Sequence, residues 1–254
     1  MEGRGLIQTE NVSISFGGIH AVSDLNMGVC QGQIVGIMGP NGAGKTTVFN
    51  LLTGVYAPTS GKIYVNGIGM EGKSMDQFVK AGVARTFQNI RLFGNMTVLE
   101  NVMVSVANKG RISLKNSLFK TEYYIRRQNE VKNEAFELLK LFDLHAKAQV
   151  LAGELPYGQQ RQLEIVRAFA TGAKVILLDE PAAGMNPTEI MKLKCDLRQL
   201  VDRMGLSLVL IEHHMDLVMG LCDYIYVLDF GKVICQGTPR EVQRNPKVIS
   251  AYLG

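Results

Sequence analysis

Residues 39–46 read GPNGAGKT, which matches the pattern GxxxxGK[ST] of a phosphate-binding loop. The apolar run Ile34–Met38 precedes this loop, and Val48, Leu51 and Leu52 follow it at helical spacing. The loop therefore joins a strand to a helix, where glycines let backbone N–H groups turn toward phosphate oxygens and the helix start favours negative charge. This setting predicts a nucleotide site rather than a simple glycine-rich turn.

Charged and hydroxyl side chains at two places in the sequence predict how the phosphates of a nucleotide would be bound. Lys45 would reach the β- and γ-phosphates, and the hydroxyl of Thr46 would ligate Mg²⁺. Asp179 and Glu180 follow the apolar strand 175–178, so Asp179 can hold magnesium through water and Glu180 can polarise a water for attack. Adjacent acids after a strand also fit a solvated loop, but the upstream phosphate loop favours the catalytic interpretation.

Composition excludes several classes of protein. The 254 residues suffice for one large domain or two tightly joined lobes, and 46% hydrophobic with 20% charged residues exclude overall disorder. A net charge of +4 is too small to indicate nucleic-acid binding. The first residues lack the apolar stretch of a secretory signal, and apolar runs such as 175–178 and 208–211 are strand-sized, so we expect neither secretion nor a membrane span.

The cysteines form no CxxC pair, which predicts reduced thiols that mostly pack in the interior: Cys30, Cys195, Cys222 and Cys235.

The apolar pattern separates a helical middle from α/β flanks. The opening is strand-rich, and after Gly153 helices alternate with the strands 175–178 and 208–211, which predicts a parallel sheet covered by helices. Between Thr97 and Lys147 no proline occurs, and one apolar stripe of a long helix is formed by Val131, Ala135, Leu138, Leu139 and Phe142.

The same middle segment carries a basic run with Glu122 as its one acid. Two interpretations stay open, a solvated helical face and a contact with lipid headgroups or a partner protein. The run consists of Lys109, Arg111, Lys115, Lys120, Arg126 and Arg127.

The segment LPYGQQR at residues 155–161 resembles the LSGGQ signature of ATP-binding cassette (ABC) ATPases. As in that family, a helix and the strand ending in Asp-Glu follow it. The phosphate loop, Gln88 within ARTFQNIRLF, the signature, DEP and His213 occur in the family's order and approximate spacing, so the resemblance covers essentially the whole chain. It identifies the chain as an ABC-type ATPase with ATP and Mg²⁺ as ligands.

The resemblance also implies the fold. The expected fold class is α/β, with a RecA-like P-loop NTPase core built on a mixed parallel sheet, an N-terminal antiparallel β subdomain and an inserted α-helical subdomain. A single cassette would span residues 1–254. Within it, residues 1–88 and 161–254 would form the nucleotide-binding core, and residues 89–160 the helical subdomain with the signature.

Residue roles follow from the resemblance, position by position. Phe16 would stack on adenine, although an ordinary strand core residue is the other interpretation. The triphosphate would be held by the loop residues Gly39, Asn41, Gly42, Ala43, Gly44, Lys45, Thr46 and Thr47. The γ-phosphate bound by the opposite subunit would be contacted by the signature residues Leu155, Pro156, Tyr157, Gly158 and Gln159.

The catalytic and metal-binding roles are implied in the same way. Mg²⁺ would be bound by Thr46, Gln88 and Asp179, and Gln88 would also touch the attacking water. Glu180 would be the general base, and His213 the switch that contacts the γ-phosphate. His213 is preferred to His214 because it directly follows a predicted strand, whereas we expect His214 to begin the next helix and to face solvent.

Two positions depart from the family pattern. Pro156 replaces the signature serine and so removes a hydroxyl that would bond the γ-phosphate, although proline near a helix start preserves helix geometry. Asn186 stands where the family usually has an aspartate that contacts the opposite subunit. We therefore expect altered affinity and subunit coupling without a change of fold.

The resemblance implies partners, because a signature loop in the family acts on the ATP of another subunit. The expected assembly is a head-to-tail dimer around two ATP molecules, either a homodimer or a heterodimer with a paralogue. It would sit on separate transmembrane permease subunits at the cytoplasmic face of the cell membrane and would act indirectly with an extracytoplasmic solute-binding protein.

The transported solute is suggested by local stretches of sequence. ARTFQNIRLFGNMTVLENV, DEPAAGMNP, IEHHMDLVM and the terminal AYLG resemble bacterial branched-chain amino-acid uptake ATPases. Two alternatives stay open. One is the ATPase of a related ABC system such as lipopolysaccharide export, and the other is a soluble ABC protein without a transport role.

Overall fold

A computed structural model describes residues 5–88, 90–107 and 122–253. The strands are β1 Ile7–Phe16, β2 Ile19–Val29, β3 Ile34–Met38, β4 Ser60–Val65, β5 Ile68–Gly69, β6 Val83–Arg85, β7 Val175–Asp179, β8 Ser207–Ile211, β9 Tyr224–Asp229 and β10 Lys232–Gly237. The helices are α1 Lys45–Leu52, α2 Met75–Lys80, α3 Val98–Ala107, α4 Glu122–Leu141, α5 Tyr157–Ala170, α6 Pro187–Met204, α7 Met215–Leu221, α8 Pro239–Gln243 and α9 Pro246–Leu253. Within these ranges no helix is both long and apolar enough to cross a membrane.

The strands form two sheets, as the sequence predicts. One is antiparallel with the order β2-β1-β4-β5, and the other has the order β10-β9-β3-β8-β7-β6. In the second sheet every neighbouring pair is parallel except β9 and β10. The expected α/β class, with a mixed parallel sheet and an antiparallel N-terminal part, is confirmed.

The central strands of the mixed sheet are buried along their whole length. β3, β7 and β8 show five buried residues each, because the sheet is covered on both faces. This burial explains why their sequences are continuous apolar runs rather than alternating patterns. The parallel register of β3, β7 and β8 places the chain segments that follow them at one edge of the sheet.

The chain divides into two compact units, which differ from the expected core and helical subdomain in their boundaries. The first unit comprises the residues up to Arg85 and from Lys174 onward, and the second comprises Thr86–Ala173. The expected boundary after residue 160 would cut α5, which is continuous from Tyr157 to Ala170. Phe169, in the last turn of α5, packs edge-to-face on Phe142 at 5.9 Å, so the whole helix belongs with the helical unit.

The apolar stripe predicted for the helical unit is buried. Val131, Ala135, Leu138 and Leu139 lie on the buried face of α4, and Phe142 follows the end of the helix and is also buried. Of the basic run, Lys109, Arg111, Lys115 and Lys120 lie outside the described residues. Arg126 is exposed, and Arg127 pairs with Glu130 at 3.1 Å on the same helix.

A buried ion pair lies inside the helical unit. The side chain of Arg161 on α5 is fully buried, and its Nη1 donates to Glu164 Oε2 and to the carbonyl of Phe87, both at 2.7 Å. A buried charge is tolerated only when it is paired and hydrogen-bonded. Arg161 therefore joins α5 to the segment that enters the helical unit.

The cysteines form no disulfide, in agreement with reduced thiols. The expectation that most of them pack in the interior is wrong. Cys222 is buried, which raises the pKa of its thiol, but Cys30 and Cys195 are exposed and Cys235 is half-buried. Cys30 follows the end of β2 and Cys195 lies on a helix face, so neither is required to fill the core.

We predict that Arg161→Leu lowers the free energy of unfolding by ~3–5 kcal/mol, because it leaves the Glu164 carboxylate buried without its cation. Urea denaturation of the full chain measures this change. The matched control is Arg127→Leu, which removes a helical ion pair of the same spacing whose acid is exposed and should cost less than about 1 kcal/mol. Equal losses in the two variants would contradict the assigned role of Arg161.

Candidate functional site

The phosphate loop leaves β3 at Met38 and enters α1 at Lys45, as the sequence predicts. The ammonium of Lys45 donates to the carbonyl oxygens of Gly39 and Pro40, at 2.7 and 2.9 Å. The lysine thus bridges the start of the loop to the start of the helix. These hydrogen bonds within the loop hold its backbone in a closed turn.

Two glycines of the loop are required by close backbone contacts. A Cβ on Gly39 would lie 2.2 Å from the carbonyl oxygen of Leu228, and one on Gly44 would lie 2.6 Å from that of Ala21. Both glycines have positive φ angles, 148° and 101°, which other residues rarely adopt. By contrast, a Cβ on Gly42 would meet nothing within 4 Å, so the loop is open on that side.

The first N–H of the loop has a partner that the sequence does not suggest. The backbone N–H of Gly39 donates to the hydroxyl of Tyr252, at 2.9 Å. Tyr252 lies in the last helix, α9, which also lines a cavity of about 820 Å³ beside Asn41 and Gly42. Partial burial raises the pKa of the Tyr252 phenol, so it stays protonated at neutral pH. The C-terminal helix therefore supports the point where β3 becomes the phosphate loop.

The two predicted acids follow the end of β7 in different environments. Asp179 is buried as the last residue of the strand, and its carboxylate pairs with Arg85 at 2.8 Å. Arg85 also donates to the side-chain oxygen of Asn50 on α1, at 2.6 Å. Arg85 therefore connects the strand end at Asp179 to the helix that follows the phosphate loop.

Glu180 lies beside His213, the histidine predicted to contact the γ-phosphate. Its φ angle is +48°, a costly backbone conformation for a residue with a side chain, and its N–H donates to the carbonyl of Ile211 at 2.9 Å. The side-chain oxygen Oε1 of Glu180 lies 3.0 Å from Nε2 of His213. His214 is the residue before α7 and is half exposed, in agreement with its expected position.

Electrostatics link the phosphate loop to these acids. Burial lowers the pKa of the Lys45 ammonium, and the carboxylates of Glu180 and Asp179 partly offset this effect. One edge of the mixed sheet thus carries four side chains close together, Lys45, Asp179, Glu180 and His213. This cluster presents a cation, two acids and an imidazole beside an open glycine loop.

The other predicted residues lie at three further places. Phe16 ends β1, is 44% exposed and packs edge-to-face on Tyr56, so the alternative of a strand core residue is wrong. Thr46 is exposed and Thr47 is half-buried in the first turn of α1. Gln88 is exposed in the helical unit, where Leu155 is buried. The rest of the signature stands at the start of α5, with Pro156 at its N-cap, Tyr157 and Gly158 in its first turn, and Gln159 accepting a hydrogen bond from Lys147 at 2.7 Å.

The donor set of the first unit fits a nucleotide with a hard cation better than a metal held by protein alone. Among the described residues no group of three or more His, Cys, Asp or Glu side chains is placed to hold a metal ion. Mg²⁺ is usually bound by one or two protein oxygens together with phosphates and water. Asp179 and the hydroxyl of Thr46 meet that requirement.

Comparison with known proteins identifies the family of this chain. The family model described as ABC transporter matches residues 22–183, and that of the branched-chain amino acid ATP-binding cassette transporter matches residues 232–254. The chain is 43% identical to the high-affinity branched-chain amino acid transport ATP-binding protein LivG of Escherichia coli, over 98% of each chain. It is 42% identical to the corresponding protein BraF of Pseudomonas aeruginosa, over 99% of this chain and 98% of that one.

The chain belongs to the ABC transporter ATPases.

Solved structures of ABC cassettes share its fold. One is the structure of an ATP-binding cassette of an ABC transporter in its ADP conformation, which is 32% identical in sequence to this chain. The alignment covers 99% of this chain and 100% of that one, with a TM-score of 0.85. A dimeric bacterial ABC transporter cassette is 27% identical, covers 92% and 99% of the two chains, and has a TM-score of 0.77. This protein is therefore an ATP-binding cassette that hydrolyses ATP.

The departures Pro156 and Asn186 have local structural roles in this cassette. Pro156 precedes α5 with an extended backbone, so it starts the helix without distortion. The side chain of Asn186 accepts the N–H of Glu189 at 3.0 Å, and Glu189 accepts the N–H of Asn186 at 2.9 Å. This capping box begins α6 and gives Asn186 a role within its own subunit.

The sequence analysis did not single out three residues that contact the candidate site or its loops: Arg85, Glu212 and Tyr252. Each acts across a long sequence separation, on Asp179, Ala182 and Gly39 respectively. In the sequence these three residues lie within ARTFQ, IEHH and AYLG, which belong to segments that resemble the family. Those segments marked resemblance but did not indicate contacts.

We predict that Tyr252→Phe speeds hydrogen exchange of the Gly39 amide and lowers the free energy of unfolding by ~1 kcal/mol, because the N–H loses its acceptor. Amide-resolved hydrogen exchange and urea denaturation of the full chain measure the two effects. Tyr123→Phe, the same change at an exposed position of α4, is the control and should alter neither. An unchanged Gly39 amide in Tyr252→Phe would show that the contact does not persist in solution.

Proposed function

We propose that this ABC ATPase binds ATP with Mg²⁺ in the first unit and couples its hydrolysis to uptake of branched-chain amino acids. The observation that carries the ATPase part is the joint placement of Lys45, Asp179, Glu180 and His213 at the edge of the sheet beside the phosphate loop. The relatives' names support the choice of solute.

Nucleotide binding is assigned to the loop and two flanking side chains. The N–H groups of residues 42–47 and the ammonium of Lys45 bind the phosphates, which requires Lys45 to exchange its two carbonyl partners for phosphate oxygens. Phe16 stacks on the adenine, and its exposure leaves a ring face accessible. Thr46 and Asp179 of the first unit would hold Mg²⁺, which would neutralise phosphate charge when bound.

Hydrolysis is assigned to Glu180 and His213. Glu180 accepts a proton from the attacking water, since a carboxylate at the strand end can approach the γ-phosphate from outside the loop. His213, 3.0 Å from Glu180, orients that carboxylate and contacts the γ-phosphate. The hydrogen bond from the Glu180 N–H to the carbonyl of Ile211 and the contact of its Oε1 with His213 orient the acid before substrate arrives.

We propose a dimer in which the signature of one subunit completes the ATP site of the other. The signature stands at the N-terminus of a fourteen-residue helix, whose dipole favours an anion. It consists of Leu155, Pro156, Tyr157, Gly158 and Gln159. The dimeric structure of a similar bacterial ABC transporter cassette supports this arrangement. The second subunit is a copy of this chain or a paralogue, and ATP binding favours the closed state.

The transport role rests on the named relatives. LivG and BraF are high-affinity branched-chain amino acid transport ATP-binding proteins, and the C-terminal segment matches a model specific to such transporters. We propose that the cassette dimer works on permease subunits at the cytoplasmic face of the cell membrane, supplied by an extracytoplasmic solute-binding protein. These relatives favour uptake over lipopolysaccharide export or a soluble role.

We predict that Glu180→Gln lowers the rate of ATP hydrolysis ~10²–10⁴-fold while ATP binding persists, because the amide cannot accept the proton. Single-turnover hydrolysis and calorimetric ATP binding measure the two properties. Gel filtration with ATP should show a trapped dimer. Lys45→Ala is the contrasting variant and should weaken ATP binding itself, so unchanged hydrolysis in Glu180→Gln or normal affinity in Lys45→Ala would overturn the assignments.

We predict that the cassette, purified with its permease subunits in proteoliposomes, hydrolyses ATP faster when binding protein loaded with leucine, isoleucine or valine is added. The physical reason is that solute-bound partner stabilises the closed, hydrolysing state. Binding protein loaded with a charged amino acid is the control. Equal stimulation by all solutes, or none, would contradict branched-chain uptake.

A further inference from the structure

One buried acid of the first unit has no place in the proposed mechanism. Glu212 follows the last residue of β8 and is 2% exposed. A buried carboxylate is costly unless several donors bond it. Its donors therefore indicate what the residue is for.

The two oxygens of Glu212 serve two different loops. Oε1 accepts the backbone N–H of Ala182 at 2.7 Å, two residues after Glu180. Oε2 accepts the backbone N–H of His213 at 3.0 Å and that of His214 at 3.3 Å, and it lies 3.0 Å from Nδ1 of His214. One carboxylate thus anchors the loop after β7 and the loop after β8.

These are the loops that carry Glu180 and His213. The two side chains lie 3.0 Å apart, and the backbone of Glu180 is held at a costly φ angle. The β7–β8 ladder continues through the hydrogen bond from the Glu180 N–H to the carbonyl of Ile211, but His213 lies two residues beyond β8, so the strand register alone does not place its imidazole. Glu212 also holds the ring of His214, so the two adjacent histidines have separate partners.

We propose that Glu212 is a positioning residue that fixes the separation of Glu180 and His213. The proposal rests on the proposed function of those two residues. Glu212 does not touch the nucleotide; it ties the two loops together so that the acid and the imidazole meet in the geometry needed for hydrolysis. A glutamine cannot replace it, because an amide has one accepting oxygen and would point N–H groups at the donors of one loop.

The test compares Glu212→Gln with Asp223→Asn by steady-state hydrolysis at several ATP concentrations, with thermal unfolding of each full-length variant. Asp223 is the control, since its carboxylate also bonds two groups at the opposite end of the same sheet, accepting the N–H of Ile34 at 2.8 Å and pairing with Arg198 at 2.8 Å. We expect Glu212→Gln to lower kcat ~10²-fold with KM for ATP changed less than about 3-fold, because misplacement by about 1 Å has that effect. Asp223→Asn should leave kcat unchanged.

A double-variant cycle separates positioning from general stabilisation. In the His213→Ala background, Glu212→Gln should lower kcat by less than about 3-fold, since the pair it maintains is already broken. If Glu212→Gln fails to fold, Glu212→Asp, which keeps the charge but is too short to reach both loops, is measured in the same way. Unchanged kcat, a change confined to KM, or full additivity with His213→Ala would overturn the proposal.

The parent variants distinguish failure of this inference from failure of the proposed function. If Glu180→Gln and His213→Ala both retain turnover, the assigned mechanism is wrong and so is the proposal built on it. If they lose turnover while Glu212→Gln keeps it, the catalytic assignment stands and only the positioning role is refuted.

Discussion

The parallel alignment of β3, β8 and β7 is the constraint on which the site depends. In that register Ile37 and Asp179 both pair with Ile211, so the three strands end at one edge and the loops after them converge. The edge supplies the glycine loop, the acids and the histidine. Because these strands are buried on both faces, the core that stabilises the sheet also determines where the chemistry can occur.

Convergence of loops does not by itself orient side chains, and long-range polar contacts complete the arrangement. Arg85 connects Asp179 to α1, Glu212 connects the loops of Glu180 and His213, and Tyr252 binds the first N–H of the phosphate loop. Each contact involves a partly or fully buried group, where hydrogen bonds are stronger than in water. The site is therefore preorganised by residues that need not touch ATP.

The helical unit is stabilised by contacts of a different kind. Its elements pack through the apolar stripe of α4 and the buried ion pair of Arg161, and the unit ends just after α5. The expected boundary at residue 160 follows the signature motif, whereas the compact unit extends past the end of α5 to Ala173. A motif marks chemistry, whereas a unit boundary is decided by which side chains pack together.

The sequence alone determined the central strands 34–38, 175–178 and 208–211, the phosphate loop, the acids at the strand end and the membership of the ABC family, because these depend on local periodicity and on short motifs in order. It also indicated His213 in preference to His214 from strand register. Only the tertiary structure decided that Phe16 is exposed, that Cys30 and Cys195 lie outside the core, and that Arg85, Glu212 and Tyr252 support the site. Those contacts join residues tens to hundreds of positions apart, and no local pattern carries information about which of them meet.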